Sequence, residues 1–346
     1  MGREGVKAHI RTGSTIWKGD PSLLASPGVL PMGGKRALWA TAIVGLLTAL
    51  CPARGVLGQQ APPGVGGVAS PDLVPTEDTL ETTYGLGMGA GVRAGAVGVS
   101  ALAYNTSNMA AVSTYDVEAF SQLVPGSKSN GGTYWTIGSS ISDSTTSKKI
   151  AMGTSFRAVF SGENRRYSGW DWRSGIGIQA IPQLGIGVAF RWAKLNASRY
   201  EGQRLGPSFD GITMDASLTI SPIPWLRVSG LGYNLIKTHS SLAPQMAGGS
   251  VSLAPVESFS IGGDMLFDFT TFSKNELIAG AGMSYIAGEM VPLRFGYRRD
   301  QGRNLNQITA AAGFRKGKVA AELALRQDIA GRKETYLVVM FRYVVQ

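Results

Sequence analysis

The sequence predicts an all-β protein, a transmembrane antiparallel β-barrel of about 14 strands with an N-terminal lumenal hatch. Charged residues make up 16% of the chain, against about 25% in ordinary globular domains, while glycine, with 47 of 346 residues, is about twice as frequent as usual. The longest apolar run, Ala37 to Cys51, is shorter than the roughly 20 residues that a membrane-spanning helix needs. From Tyr115 onwards apolar and polar side chains alternate with a period of two, which is typical of β-strands.

Residues 1–58 are predicted to be a leader that contains a cleaved signal peptide. Lys35 and Arg36 form a positively charged region, and the apolar stretch 37–50 follows them directly, as in export signals. Small residues suited to a signal-peptidase cut occur at 56–58, and residues 51–53 offer a second candidate site. The alternative interpretation of the apolar stretch is a buried core helix.

The true start of the chain is left open by Met32, which lies just before the signal, so that residues 1–31 can be interpreted as a mis-called start. Removing the whole leader leaves 26 basic and 21 acidic residues, a net charge of +5, without a basic run of the kind that binds nucleic acid. It also removes Cys51, the only cysteine, which excludes a disulfide scaffold and thiol catalysis. A cysteine-free chain suits the oxidising bacterial envelope.

Two segments are predicted between the leader and the first strand. Residues 59–84 are rich in proline and glycine and are expected to form a flexible periplasmic arm. Residues 85–114 are rich in small residues without a clean alternation, and they are expected to form a hatch or plug in the lumen, where glycines permit close backbone approach. The glycine-rich run 85–95 resembles a phosphate-binding loop but lacks the strand–loop–helix context, so no nucleotide cofactor is expected.

The barrel is predicted over residues 115–346, in fourteen alternating segments of mostly 10–13 residues. A tilted membrane strand needs about 9–11 residues. The segments are 115–124, 133–142, 148–160, 168–181, 184–195, 211–221, 225–236, 245–254, 257–269, 275–286, 291–298, 305–315, 318–327 and 334–345. Short turns alternate with longer polar loops, as in outer-membrane barrels whose short turns face the periplasm, and an even strand count then places both termini there.

The face of each strand that points away from lipid is expected to line the lumen, and it carries charges of both signs. These residues are Asp116, Glu118, Arg157, Asp171, Arg173, Arg191, Asp215, Arg227, Asp264, Asp268, Arg294, Arg298, Arg315, Glu322, Arg326 and Arg342. Their near balance predicts internal salt-bridge networks, in which paired charges offset one another's desolvation. A selectivity lining for solutes is the alternative.

Four tryptophans are candidates for the aromatic girdles of a membrane barrel. Trp170, Trp172 and Trp192 lie near the ends of strands that lead into long loops, whereas Trp225 lies beside the short turn 222–224. Two girdles, one at each membrane interface, predict this distribution. Ordinary core aromatics are the alternative.

No enzymatic activity, cofactor or metal ligand set is expected. His239 is the single histidine after the leader, and with Ser241 it resembles the His-x-Ser pair of outer-membrane lipid hydrolases. In those enzymes an Asn- and Gly-rich stretch follows the pair, but here Leu242-Ala243-Pro244 follows. A solvated loop histidine is therefore favoured, and a lipid hydrolase remains a remote alternative.

Residues 93–110 carry the clearest family signature. They read Arg-Ala-Gly-Ala-Val-Gly-Val-Ser-Ala-Leu-Ala-Tyr-Asn-Thr-Ser-Asn-Met-Ala, which resembles the N-terminal signature of the FadL-type and PorV/PorQ-type outer-membrane proteins. The stretches 181–187, 222–230 and 291–298 also resemble turn-and-strand phrases of these proteins. Where the family has a proline after the asparagine, this chain has Thr106.

This resemblance implies a fourteen-stranded barrel with an N-terminal hatch in the bacterial (Gram-negative) outer membrane, among its lipids. Resemblance to the FadL branch of the family implies a channel for hydrophobic small molecules such as long-chain fatty acids, which leave by lateral diffusion. Asn105, Thr106, Ser107 and Asn108 are then expected where hatch movement opens a route. Resemblance to the PorV branch instead implies a non-transporting partner of envelope proteins in a secretion or surface-assembly machine.

Overall fold

The computed structural model describes residues 82–345 apart from several gaps. The gaps are 126–132, 148, 162–166, 198, 201–202, 205–208, 237, 239 and 331–333. The predicted leader lies outside the described residues, as do His239 and the predicted arm except for residues 82–84. Among the helices of the described residues, none is long and apolar enough to cross a membrane.

Fourteen antiparallel strands form a closed barrel. They are β1 (Tyr115–Val124), β2 (Tyr134–Asp143), β3 (Ile150–Ser161), β4 (Tyr167–Ile181), β5 (Leu184–Ala197), β8 (Phe209–Ile223), β9 (Leu226–Tyr233), β10 (Met246–Val256), β11 (Phe259–Asp268), β12 (Glu276–Ala287), β13 (Val291–Asp300), β14 (Leu305–Lys316), β15 (Val319–Asp328) and β16 (Thr335–Val345). Neighbours in the chain pair with one another, and β1 pairs with β16 to close the ring. The predicted antiparallel barrel of fourteen strands is confirmed, and each predicted strand agrees with the observed one to within three residues.

The connections differ at the two ends of the barrel. At the end that we call the short-turn end, tight turns such as 182–183 and 317–318 join the strands, and Gly317 adopts φ +58°, which suits glycine. At the opposite, long-loop end, the connections include 269–275 and 301–304. The loop between β5 and β8 carries a separate hairpin, formed by β6 (Arg199–Tyr200) and β7 (Gln203–Arg204), which the sequence did not predict.

The two faces of the strands are opposite in character. Outward-facing side chains such as Phe156, Phe190 and Phe295 are large, apolar and about half exposed, whereas inward-facing Arg191 and Arg298 are 1% and 2% exposed. This is the reverse of a protein that folds in water, where charged residues are almost never fully buried unless paired. An apolar outer surface of this extent is suited to the hydrocarbon region of a membrane.

The residues that precede β1 lie inside the ring of strands. They form helix α1 (Thr83–Gly87), helix α2 (Val99–Tyr104) and a 3₁₀ helix (Thr106–Ala111). We call residues 82–114 the inner segment. Its backbone and side chains contact inward-facing residues from β1 round to β16, and most of its residues are buried.

Candidate functional site

The inner segment packs closely against the backbone of the barrel strands. A Cβ on Gly91 would lie 2.5 Å from the carbonyl oxygen of Gly262 in β11 and 2.8 Å from the backbone nitrogen of Gly282 in β12. Gly89 adopts φ +60° and lies equally close to the backbone of Tyr297 in β13. These contacts need glycine on the inner segment, which accounts for part of its glycine-rich composition.

Arg93 and Asp264 form the central ion pair between the inner segment and the barrel. Arg93 Nη1 lies 2.8 Å from Asp264 Oδ2, and both side chains are almost fully buried. The backbone amides of Val92 and Arg93 donate to the same carboxylate. Ser250 on β10 donates its hydroxyl to Asp264 and accepts a hydrogen bond from the Ala94 amide. A buried charge pair is tolerated only when such further hydrogen bonds satisfy it.

Two tyrosines surround the Arg93 guanidinium. Its carbon lies 5.9 Å from the ring centre of Tyr104 and 5.6 Å from that of Tyr233. Arg93 Nε donates to the Tyr233 hydroxyl at 3.0 Å, and this hydroxyl donates in turn to the carbonyl of Tyr104. Helix α2 is thereby connected to β9 and to the central ion pair.

Asn105 and Asn108 fold the inner segment back on itself. Asn105 Nδ2 lies 2.9 Å from the Arg93 carbonyl oxygen, and Asn108 Nδ2 lies 2.9 Å from that of Ala94. Asn105 Nδ2 also lies 3.0 Å from Ser229 Oγ on β9. Both asparagines are buried, so their amides hold the 3₁₀ helix against the Arg93 region.

Thr106 and Ser107 bind the wall formed by β5 and β8. The Ser107 amide donates to Ser217 Oγ at 3.0 Å, and Ser107 Oγ lies 2.7 Å from Thr219 Oγ1. Gly187 lies directly against the Thr106–Ser107 backbone. The four residues predicted along a ligand route are thus brought together, but packed against one wall. The cavity beside Asn105 and Thr106, of about 10 Å³, has roughly the space of one water molecule.

The predicted lumen charges face inward, and fourteen of the sixteen are buried. Arg315 and Arg342 are partly exposed, and Arg315 Nε donates to the Glu289 carbonyl in a tight turn at the short-turn rim. Four of the ion pairs join predicted residues to one another: Arg191–Asp171 at 2.7 Å, Arg173–Asp215 at 3.2 Å, Arg294–Glu322 at 2.5 Å and Arg342–Asp116 at 2.6 Å.

An apolar cluster occupies the lumen beneath the long loops. We call it the upper apolar cluster; it comprises Leu86, Val124, Val159, Ala193, Leu195, Phe209, Leu242, Ala243, Ala311, Ala324, Tyr336 and Val338. Phe209 begins β8 at the long-loop end, and Leu242 belongs to the loop between β9 and β10. The cluster reaches Leu86 in α1, so apolar side chains extend from the long loops to the inner segment.

The four predicted girdle tryptophans occupy two regions. Trp170 and Trp192 contact each other edge to face, with ring centres 4.8 Å apart, and Trp172 and Trp192 face outward near the long-loop end. Trp225 lies in the tight turn between β8 and β9.

Arg93 and Arg303 also lie in the lumen, although the sequence pattern did not predict them there. Arg93 is the only charged residue between Glu81 and Asp116, and this isolation in a small-residue segment was a usable signal. Arg303 follows β13 in a long loop, yet its guanidinium is buried 3.0 Å from Asp300. No cluster of three or more His, Cys, Asp or Glu side chains in the described part of the chain is arranged to hold a metal ion.

Comparison with known proteins gives structural neighbours only. No protein-family profile matches the sequence, and no curated protein matches it. The toluene transporter TbuX of Ralstonia pickettii is 12% identical, with a TM-score of 0.57 over 76% of this chain and 97% of that one. The CymD monoaromatic hydrocarbon channel is 14% identical, with a TM-score of 0.58 over 76% and 96%. A FadL homologue of Pseudomonas aeruginosa is 10% identical, with a TM-score of 0.54 over 76% and 98%.

These neighbours are FadL-family outer-membrane transporters with the same closed barrel of fourteen strands. The resemblance to FadL-type barrels is confirmed at the level of the fold. Fold likeness at such low identity says nothing by itself about what passes through the lumen.

Proposed function

We propose that this protein is an outer-membrane channel for small hydrophobic molecules, in which the inner segment is the hatch. The observation that carries the proposal is the upper apolar cluster, which connects the long loops to Leu86 of the inner segment. The neighbours TbuX and CymD, named for toluene and monoaromatic hydrocarbons, support the same class of cargo.

The upper apolar cluster favours an apolar solute over a polar one. Side chains such as Phe209, Leu195 and Val338 offer apolar contacts to a molecule that enters between the long loops. Burial of apolar surface is favourable by about 25 cal/mol per Å², whereas a polar solute would lose its hydration there without replacement. Long-chain fatty acids are one cargo of this class, and aromatic hydrocarbons are another.

The inner segment must move, or the wall beside it must open, for such a molecule to leave. The cavity next to Asn105 and Thr106 holds about one water molecule. Arg93, Asn105 and Ser107 hold the segment against β8 to β11. Hatch movement therefore requires these buried contacts to break together.

Uptake by cells tests the proposal. The full chain is expressed in a Gram-negative host that lacks its own hydrocarbon and fatty-acid channels, and entry of labelled toluene and labelled oleate is measured against the empty vector. We expect faster entry of at least one of them, and slower entry with Phe209→Ser. Phe190→Ser, which changes an outward-facing phenylalanine, is the matched control and keeps the parent rate. Equal entry with and without a folded barrel in the outer membrane contradicts the proposal.

A non-transporting role in secretion or surface assembly is the second candidate. It is favoured by the dense packing of the inner segment, which leaves little space beside it. In that case a stable complex with envelope proteins co-purifies with the barrel, and deleting the protein changes the entry of neither toluene nor oleate.

A further inference from the structure

Arg227, near the start of β9, is a buried cation without a counter-charge. Its side chain faces the lumen, and the residue is 7% exposed. Among the described residues, none forms a hydrogen bond or an ion pair with its guanidinium. Other inward-facing arginines, such as Arg173 and Arg294, are paired with carboxylates. An unpaired charge is costly to remove from water, so a buried guanidinium of this kind favours a bound anion.

The Arg227 guanidinium remains accessible to a small solute. Its nitrogens keep some accessible surface, whereas the unpaired polar atoms of Glu118 and Gln122 on β1 are fully enclosed. Arg227 is the second residue of β9 and follows the tight turn that joins β8 to β9. It therefore lies close to the short-turn end of the lumen.

Two hydroxyl groups lie near Arg227. Ser252 on β10 is opposite Arg227 in the strand register, which places the two side chains on the same face with their Cβ atoms about 5 Å apart. A Cβ on Gly95 would lie 2.8 Å from Ser252 Oγ and 3.3 Å from the Tyr84 hydroxyl oxygen, so both hydroxyls border the same point. Neither hydroxyl has a hydrogen-bond partner in the described part of the chain, and neither is fully enclosed. We call Arg227, Ser252 and Tyr84 the Arg227 site.

The charges around the Tyr84 hydroxyl leave the Arg227 site positive. The charged groups that act on this hydroxyl are Arg294, Arg227, Asp264 and Glu322. Arg294 is paired with Glu322, and Asp264 is paired with Arg93. Arg227 is the positive charge that remains. A guanidinium accompanied by hydroxyl donors is suited to the oxygens of a carboxylate or a phosphate.

We propose that the Arg227 site binds one small oxyanion, a carboxylate or inorganic phosphate, between the inner segment and the barrel wall. The guanidinium supplies the charge and two parallel N–H donors, and Ser252 and Tyr84 supply one O–H donor each. Tyr84 belongs to helix α1, whereas Arg227 and Ser252 belong to β9 and β10. A bound anion therefore connects α1 to the wall and stabilises the inner segment in the lumen. This role goes beyond the proposed channel.

Calorimetric titration of the full chain, folded in dodecyl maltoside without other oxyanions, tests the binding. Sodium phosphate and sodium acetate are added separately at constant ionic strength, with sodium chloride as the reference. We expect one site per barrel for at least one oxyanion, binding at least about tenfold weaker after Arg227→Gln, and partial recovery with Arg227→Lys. The oxyanion that binds more tightly identifies the chemistry of the natural ligand.

Matched serine variants test the second donor. Ser252→Ala should also weaken binding, whereas Ser140→Ala, almost equally buried on β2, should keep the affinity of the parent. Heat-modified mobility on gels selects folded barrels for the comparison. A parent without saturable binding beyond that of chloride, or a folded Arg227→Gln variant with unchanged affinity, overturns the proposal.

Thermal unfolding distinguishes an anion site from an arginine with a purely structural role. Without oxyanion, Arg227→Met removes an unpaired buried charge, so its midpoint should equal or exceed that of the parent. Saturating phosphate or acetate should raise the midpoint of the parent by several degrees and slow hydrogen exchange in α1, with neither effect in the variant. A parent that does not respond to either oxyanion, or a variant that responds equally, overturns the proposal. Uptake of toluene and oleate reports separately on the proposed function.

Discussion

Two walls of the same lumen carry similar polar residues but differ in whether these residues are hydrogen-bonded. The wall that we call the β8–β11 wall presents Ser217, Thr219, Ser229, Ser250 and Asp264, and every one of these side chains has hydrogen bonds to the inner segment or to a neighbour. The inward faces of β1 and β2, which we call the β1–β2 polar wall, present Glu118, Gln122, Thr136 and Ser142, whose polar atoms have no hydrogen-bond partner within the described residues. One wall is a hydrogen-bonded docking surface for the inner segment, and the other contains buried polar atoms without protein partners.

The inner segment is bonded differently to these two walls. Arg93 and Asn105 attach it to the β8–β11 wall through buried hydrogen bonds, whereas its hydrogen bond to β1 is confined to Asp116 at the foot of the opposite wall. Contacts whose buried groups are all paired are costly to break, so the inner segment is expected to stay attached to the β8–β11 wall longest when it moves.

The largest effect is expected from Asp264→Asn, because it leaves the Arg93 guanidinium buried without its opposite charge. Breaking a buried ion pair on one side costs about 3–5 kcal/mol. We expect a loss of this size in the free energy of unfolding, measured by urea titration in detergent, and faster proteolysis within residues 82–114. The double variant Arg93→Met/Asp264→Leu should recover a large part of the loss. A loss below about 1 kcal/mol would mean that this pair does not anchor the segment.

A smaller effect is expected from Gly91→Ala, which places a methyl group against the backbones of β11 and β12. Overpacking of this kind costs about 1–3 kcal/mol. The matched control is Gly230→Ala, since a Cβ at Gly230 meets no atom within 4 Å. We expect lower stability and faster entry of toluene or oleate for the first variant only. Equal behaviour of the two variants would contradict the close seating of the inner segment.

Asn105→Ala should have an effect of about 1–2 kcal/mol, because it removes the donor that reaches the Arg93 carbonyl, Thr219 and Ser229. The readout is again urea unfolding, together with hydrogen exchange of the amides in the 3₁₀ helix. Asn306→Ala, at the start of β14 and partly buried, is the control and should leave that exchange unchanged. Slow exchange in both variants would show that Asn105 does not hold the helix.

The fold was predictable because a membrane imposes alternation on every strand. β1 begins and ends at the predicted residues, and charges such as Arg191 and Asp215 lie on the predicted face. The predicted seventh segment, 225–236, was too long, because β9 ends at Tyr233. The next residue, Asn234, adopts φ +52° and donates its backbone amide to the Asp215 carboxylate.

The partners within the lumen were not predictable in the same way. Arg93 and Asp264 are 171 residues apart and meet only through the three-dimensional placement of the inner segment. Likewise Glu118 and Glu322 look alike in sequence, as inward-facing acids on alternating strands, although of the two only Glu322 accepts hydrogen bonds within the described residues. Alternation reports the face of a strand and carries no information about what lies opposite that face.

The smallest effect is expected from Glu118→Gln, and its comparison with Glu322→Gln is the sharpest test of the difference between the two walls. Glu322 accepts from Arg294 Nη2 at 3.1 Å and from Thr83 Oγ1 at 3.0 Å, so Glu322→Gln should lower the free energy of unfolding by several kcal/mol. Glu118 accepts from no donor in the described residues, and Glu118→Gln should leave that free energy within about 0.5 kcal/mol of the parent. Urea unfolding of the two variants side by side measures the difference. If Glu118→Gln were as damaging as Glu322→Gln, the carboxylate would have a strong partner, and the β1–β2 polar wall would be a docking surface like the other one.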